Sequence, residues 1–219
     1  MDITKRLLAL DPTLQIHNEG EWSKGSTEYS AFNDAGVECE VGEYLYSLVR
    51  ILKPSFVLET GTHWGIGASY MGMGCKDNNN GLVTTIEFLP EIYKRADDRF
   101  KKLGLDMYIR NLMLNVMDFN PGMRTYQLIL LDTEPQTRFA ELEKFYPALD
   151  PGGYVFIHDL HRHMHQIENK EHGFAWPFGP ITDFMKNKVK IGELIPFHFG
   201  TPRGLTGFYK VHPDDYVWL

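Results

Sequence analysis

The sequence predicts an α/β fold in which a mostly parallel, doubly wound sheet is covered on both faces by helices. Three observations carry the prediction. Short apolar runs that read as buried strands recur at 55–60, 82–87, 126–132 and 154–159. Stretches with helical apolar spacing stand between them, the pattern of βαβ units with right-handed crossovers. The last two apolar runs, IGELIPFHF and GLTGFYKV, are separated only by GTPR, so they are expected to pair antiparallel.

Residues 1–36 are expected to form an extension, a short helix and then a loop, because NEGEWSKGSTEYSAFNDAG holds no sustained period. This segment could serve as a flap over a site, with the main domain running over 37–219. Val41, Tyr44, Leu45, Leu48, Val49 and Leu52 recur at helical spacing until Lys53-Pro54 stops them. SFVLET follows as a strand, and Gly65 to about Cys75 as a helix with small residues at its start. Asn78-Asn79-Asn80 marks a turn, and LVTTIE is the second strand. The next helix opens on Pro90-Glu91, with Tyr93, Ala96, Phe100 and Leu103 on one face. DMYIR (106–110) is a third strand and YQLILLD a fourth. FAELEKFYPAL (139–149) is helical until Asp150-Pro151-Gly152-Gly153, YVFIHD (154–159) is the fifth strand, and a short helix is expected near 180–188.

Composition narrows the partners. With 219 residues, 43% of them hydrophobic, the chain can bury one substantial core. Its 22 basic and 29 acidic residues give a formal charge of −7, and its basic clusters are as short as KVK at 188–190, which argues against nucleic acid. No run approaches the roughly 18 apolar residues of a membrane span, and the N-terminal stretch is too polar for an export signal. A cytoplasmic protein without membrane partners is expected, and a homodimer is possible. Cys39 and Cys75 lack metal-ligand spacing and are expected to be free packing thiols.

In an open α/β sheet, ligands lie beyond the carboxyl ends of the strands, and here those ends are polar: Glu59, Glu87, Asp132 and His158-Asp159. Gly61 and Gly65 allow a sharp turn and a close backbone approach to a ligand, ahead of a helix N-terminus. Glu87, at the end of the next strand, can accept both hydroxyl hydrogens of a ribose. NAD, FAD and S-adenosylmethionine all use this geometry. Glu59 beside the turn would repel a pyrophosphate and suit the cationic methionine end, which favours S-adenosylmethionine.

The blocks VLETGTHWG, VTTIEFLP, YQLILLD, LDPGGYVFIHD and RGLTGFYKV, in this order, resemble a class I S-adenosylmethionine-dependent methyltransferase. The resemblance covers roughly residues 37–211 and is greatest to small-molecule O-methyltransferases of the catechol, caffeoyl-CoA and macrocin type, in a His-Asp variant. It implies a Rossmann-like sheet of seven strands in the order 3-2-1-4-5-7-6 with the last antiparallel. It also implies that Glu59, Gly61 and Gly65 form the cofactor turn, that Thr62 and His63 lie around the methionine part, and that Glu87 holds the ribose. Asn111 and Asp118 are the candidates beside adenine, with Asp118 favoured because N-x-x-D-F is similar to the family's pattern.

In the catechol-type relatives a divalent ion on acidic strand ends activates the acceptor hydroxyl. Asp132 matches the first ligand position, and His158 and Asp159 stand at the next two. Magnesium prefers oxygen ligands, whereas imidazole suits manganese, iron or zinc. Three alternatives stay open: a metal site of Asp132, His158 and Asp159 holding manganese, magnesium or iron; His158 as general base oriented by Asp159 or Asp132; or a site without metal. An unperturbed histidine, with a pKa near ~6.5, suits proton removal at neutral pH.

HDLHRHMH adds a zinc-like i, i+4 pair, His161 and His165, without a third ligand. Trp22, Tyr29, Trp176 and Phe178 are candidates for an acceptor pocket. The expected activity is therefore methylation of a hydroxyl on a small molecule, a sugar or a phenolic compound. Two rivals remain. One is an aminopropyltransferase of the spermidine-synthase type, suggested by LLDTEP, against which stands the lack of a recognisable N-terminal β-hairpin domain. The other is a non-catalytic S-adenosylmethionine-binding module.

Overall fold

A computed structural model describes residues 2–19, 29–32, 36–160, 178–201 and 203–215. The chain forms two compact units, residues 1–120 and 121–219.

The first unit opens with helix α1 (Ile3–Leu10), followed by strands β1 (Ile16–Glu19) and β2 (Tyr29–Phe32). These strands pair antiparallel, Ile16 opposite Phe32, where the sequence predicts a loop. Four-residue strands are too short to display an alternating pattern, which is why periodicity missed them. Helix α2 (Cys39–Leu52) leads through a left-handed Lys53 into β3 (Phe56–Thr60). Helix α3 (Ile66–Asn78), β4 (Leu82–Glu87), α4 (Pro90–Lys102) and β5 (Ile109–Met113) complete the unit.

α3 is buried along Ile66–Cys75. It has no polar face because α2 and β5 both press on it: a Cβ on Gly74 would lie 2.7 Å from Val49, and one on Gly72 2.6 Å from Ile109. β3, β4 and β5 pair in parallel, with Glu59 opposite Thr85 and Thr85 opposite Asn111. The third strand begins three residues later than DMYIR predicts. Asp106, Met107 and Tyr108 form a turn, and the strand runs on through Arg110 and Asn111, whose polarity fits a strand at the sheet edge.

The second unit contains β6 (Tyr126–Leu131), α5 (Arg138–Phe145), β7 (Leu149–His158), α6 (Phe178–Lys190), β8 (Leu194–Phe199) and β9 (Leu205–Lys210). Two differences from the sequence reading stand out. The helix predicted over 139–149 ends at Phe145 and continues as a 3-10 turn, and the Asp150–Gly153 stop lies inside β7. There the register jumps from Tyr126–Leu149 to Leu128–Tyr154, so the stop is a bulge and pairing resumes at Tyr154. The final pair is antiparallel as predicted, and β9 also runs antiparallel to β7.

The strand order is β5-β4-β3-β6-β7-β9-β8, which is 3-2-1-4-5-7-6 once the hairpin strands are left out. Cys39 and Cys75 are buried free thiols, pushed up by burial to about 11 and about 12, so neither is poised as a thiolate nucleophile. Among the described residues no helix is long and apolar enough to cross a membrane.

One polar tie fastens three helices of the first unit. Asp77 of α3 accepts from both terminal nitrogens of Arg6 on α1, one at 3.0 Å, and from the Tyr46 hydroxyl of α2 at 2.8 Å. The hydrogen bonds from Arg6 hold its carboxyl below the usual range. A carboxyl lowered in the folded state contributes stability above its unfolded pKa of about 3.9 and loses it as pH falls through the folded value. Urea unfolding between pH 6 and pH 3 is therefore expected to show a smaller stability loss for Asp77→Asn than for the wild type, and equal losses would contradict the tie.

Candidate active site

In the first unit the chain leaves β3 through Gly61 (φ 79°), Thr62, His63 (φ 47°), Trp64 and Gly65 (φ 81°) before α3 begins. The amides of Gly61 and Thr62 both donate to the Ile86 carbonyl of β4, at 3.2 and 3.0 Å, and the Gly65 amide returns to the Thr62 carbonyl at 2.8 Å. Gly65 is needed on two counts. Its φ is left-handed, and a Cβ there would lie 2.7 Å from the Phe100 ring of α4. α3 has no side-chain cap, so its first-turn amides suit a carboxylate or phosphate.

A hydroxyl relay lies under this turn. Thr85 Oγ1 donates to Glu59 Oε2 at 2.6 Å and stands 2.6 Å from Thr62 Oγ1. A hydroxyl has one hydrogen, so Thr62 must be the donor to Thr85. Glu59, only 1% exposed, thus anchors the turn from below. Glu87 closes β4 and also gathers the turn: its Oε2 accepts from the His63 amide at 3.0 Å, and its Oε1 accepts from the Phe88 and Leu89 amides, each at 2.9 Å. Asp118 ends an exposed 3-10 turn after β5, while the Asn111 side chain donates to the Tyr93 carbonyl at 3.2 Å.

A second brace escaped the sequence reading. Arg99 of α4 donates from Nη1 to the Trp64 carbonyl at 2.6 Å and from Nε to Asp11 at 3.1 Å, and both side chains are buried. Burial pushes the Asp11 carboxyl up, but hydrogen bonds from Thr13 and Arg99 outweigh it and hold it below the usual range. The Trp64 ring, stacked on His63 at 4.7 Å, carries the Arg95 guanidinium 3.9 Å from its centroid. Asp11 and Arg99 are 88 positions apart, beyond the reach of any local pattern. Losing a hydrogen bond from a charged donor costs about 1.5–3 kcal/mol, so if the turn holds the cofactor, Arg99→Met should weaken S-adenosylhomocysteine binding about tenfold or more. Arg99→Lys should recover part of it in calorimetric titration.

In the second unit the polar groups gather at the ends of β6 and β7. His158 is fully buried, with Nδ1 2.9 Å from Asp132 Oδ1 and 3.6 Å from Asp159 Oδ1. Asp159, the residue after β7, has a left-handed φ of 58°. Aspartate tolerates that conformation better than most residues.

Two arginines enclose these groups. Arg138, buried at the start of α5, donates to the Thr133 carbonyl at 3.0 and 2.7 Å and to the His158 carbonyl. Its Nη2 also stands 3.3 Å from both Asp132 and Asp159. Arg203 grips Asp159 with a fork, Nε to Oδ1 at 2.6 Å and Nη2 to Oδ2 at 2.8 Å. Burial pushes the Asp159 carboxyl up, but the charges of Arg203, His158 and Arg138 override it and hold it far below the ordinary range.

One ligand atom from each of Asp132, His158 and Asp159 lies within 4.8 Å of the others, the one such group of three among the described residues. Distance alone would admit a cation. The charges do not. Two carboxylates already face two guanidiniums, and both oxygens of Asp159 are held by Arg203. Two unit charges 4 Å apart interact by about 4 kcal/mol at an effective dielectric near 20, and a dication would about double that repulsion for each guanidinium. As arranged, these residues do not fit a divalent ion. Tyr29 is buried in β2. His161, His165, Trp22 and Trp176 lie outside the described residues, as does the side chain of Phe178.

Comparison with known proteins agrees with this architecture. Residues 58–160 match the family described as "Methyltransferase domain". The O-methyltransferase TomG of Streptomyces achromogenes, solved with S-adenosylmethionine, superposes with a TM-score of 0.66 at 15% identity, over 82% of this chain and 83% of its own. An O-methyltransferase from Bacillus cereus, solved with S-adenosylhomocysteine, gives 0.64 at 18% identity, over 80% and 83%. The methyltransferase PaMTH1 of Podospora anserina, also bound to S-adenosylhomocysteine, gives 0.64 at 13% identity, over 95% and 93%. No curated protein matches the chain. By strand order and superposition, the chain has the fold of class I S-adenosylmethionine-dependent methyltransferases, and its residues 58–160 match a methyltransferase domain.

Proposed function

We propose that the chain is an S-adenosylmethionine-dependent O-methyltransferase acting on a hydroxyl of a small molecule, a sugar or a phenolic compound, with His158 as the general base. The observation that carries this reading is the 2.9 Å contact between His158 Nδ1 and Asp132 at the strand ends. Asp132 accepts the Nδ1 hydrogen, which leaves Nε2 as the basic nitrogen and favours the imidazolium once a proton arrives. Arg138 and Arg203 fix the carboxylates.

The cofactor supplies an electrophilic methyl group. Glu87 accepts ribose hydroxyls, the Gly61–Gly65 turn and the start of α3 receive the methionine part, and Asp118 stands by adenine. Glu59 contributes negative charge from below and orients Thr62. Three of the roughly four lone-pair sites of Glu87 are already engaged, so a second ribose hydroxyl would displace the His63 amide.

The β1–β2 pair removes the argument that no N-terminal hairpin exists, so the case against aminopropyl transfer rests on the matched methyltransferase domain. A panel of sugars and phenols, assayed with methyl-labelled cofactor and with its decarboxylated form, separates the readings. A methylated product supports the proposal, and exclusive aminopropyl transfer defeats it.

A further inference from the structure

We infer that Arg203 fills, as an internal cation, the place that a divalent ion would take among Asp132, His158 and Asp159, and so excludes such ions from this site. The backbone brings it there. β9 runs antiparallel to β7 with Leu205 opposite His158, and the Leu160 amide donates to the Gly204 carbonyl at 3.2 Å. That ladder holds residue 203 beside the turn at Asp159, where the guanidinium engages both carboxylate oxygens at 2.6 and 2.8 Å.

Three features make this more than a passing surface pair. The fork matches the carboxylate bidentately, the arrangement that guanidinium favours and a lysine cannot reproduce. The Asp159 carboxylate is largely buried, its side chain 10% exposed. Arg138, whose Nη2 stands 3.3 Å from both carboxylates, completes the charge balance of Asp132 and Asp159 against Arg138 and Arg203. A dication entering this set would have to displace a guanidinium and find its ligands already committed.

The test is manganese binding to the purified chain, followed by electron paramagnetic resonance without cofactor or acceptor, so that its failure stands apart from failure of the methyl-transfer reading. Wild type should show no bound manganese that depends on Asp132. Arg203→Ala, with Arg203→Gln as the alternative should the alanine variant not fold, should bind one manganese at least tenfold more tightly than wild type. Adding Asp132→Asn should abolish that gain, and Arg203→Lys should bind less tightly than Arg203→Ala. The inference is overturned by a wild-type manganese site that Asp132→Asn destroys, or by a folded Arg203 variant that binds no more tightly than wild type.

Discussion

Replacing His158 with alanine is expected to lower the rate of methyl transfer by about 10²–10⁴-fold, the usual contribution of a positioned general base. The cofactor turn and Glu87 belong to the other unit of the chain, so affinity for S-adenosylhomocysteine should stay within about twofold of wild type, well below the tenfold that 1.4 kcal/mol would give. Asp132→Asn should act in the same direction. An amide in place of the carboxylate can present its NH₂ to Nδ1, which favours the tautomer whose Nε2 carries the hydrogen and cannot accept another. Single-turnover rates with labelled cofactor test both variants. Unchanged turnover in His158→Ala would remove the base from the account, and cofactor binding without turnover in the wild type, across hydroxyl acceptors, would favour a binding module.

The second large effect belongs to Gly65. Valine there would carry a β-branched side chain at φ 81° and place its Cβ 2.7 Å from Phe100 and 3.3 Å from Ala96. Overpacking and the left-handed backbone together should cost on the order of 3 kcal/mol. At about 2–4 °C per kcal/mol for a domain of this size, the melting temperature should fall by roughly 6–12 °C. Cofactor affinity should fall with it, because the left-handed backbone that valine strains is part of the turn itself. Melting curves with and without S-adenosylhomocysteine read both effects, and a variant as stable and as strongly stabilised by ligand as the wild type would contradict this packing.

Much of this architecture was legible in the sequence because its strands are apolar runs ending in polar residues. SFVLET, LVTTIE, YQLILLD and YVFIHD all lie on strands or within one residue of them, since burial on both faces leaves little room for other residues. The edge strand β5 lies further along the chain than its apolar pattern predicts because part of its surface meets solvent and tolerates Arg110 and Asn111. The bulge at 150–153 looked like a stop because Pro and two glycines break either element, and local text does not distinguish an interruption within a strand from a boundary before it.

The candidate site divides in the same way. Glu87, Asp132, His158 and Asp159 could be picked out as strand ends from spacing alone. Arg138, Arg203, Arg99 and Asp11 could not, since their roles come from pairings set by tertiary register, such as the 44 positions between Asp159 and Arg203. That is also why the metal question was left open in the sequence: three donors were visible, and the two cations that neutralise them were not.

The most direct measurement is calorimetric titration of the purified chain with S-adenosylhomocysteine and, separately, with NAD. The account predicts saturable one-to-one binding of S-adenosylhomocysteine that Glu87→Ala abolishes, and no binding of NAD. Saturable NAD binding with no heat from S-adenosylhomocysteine would contradict it.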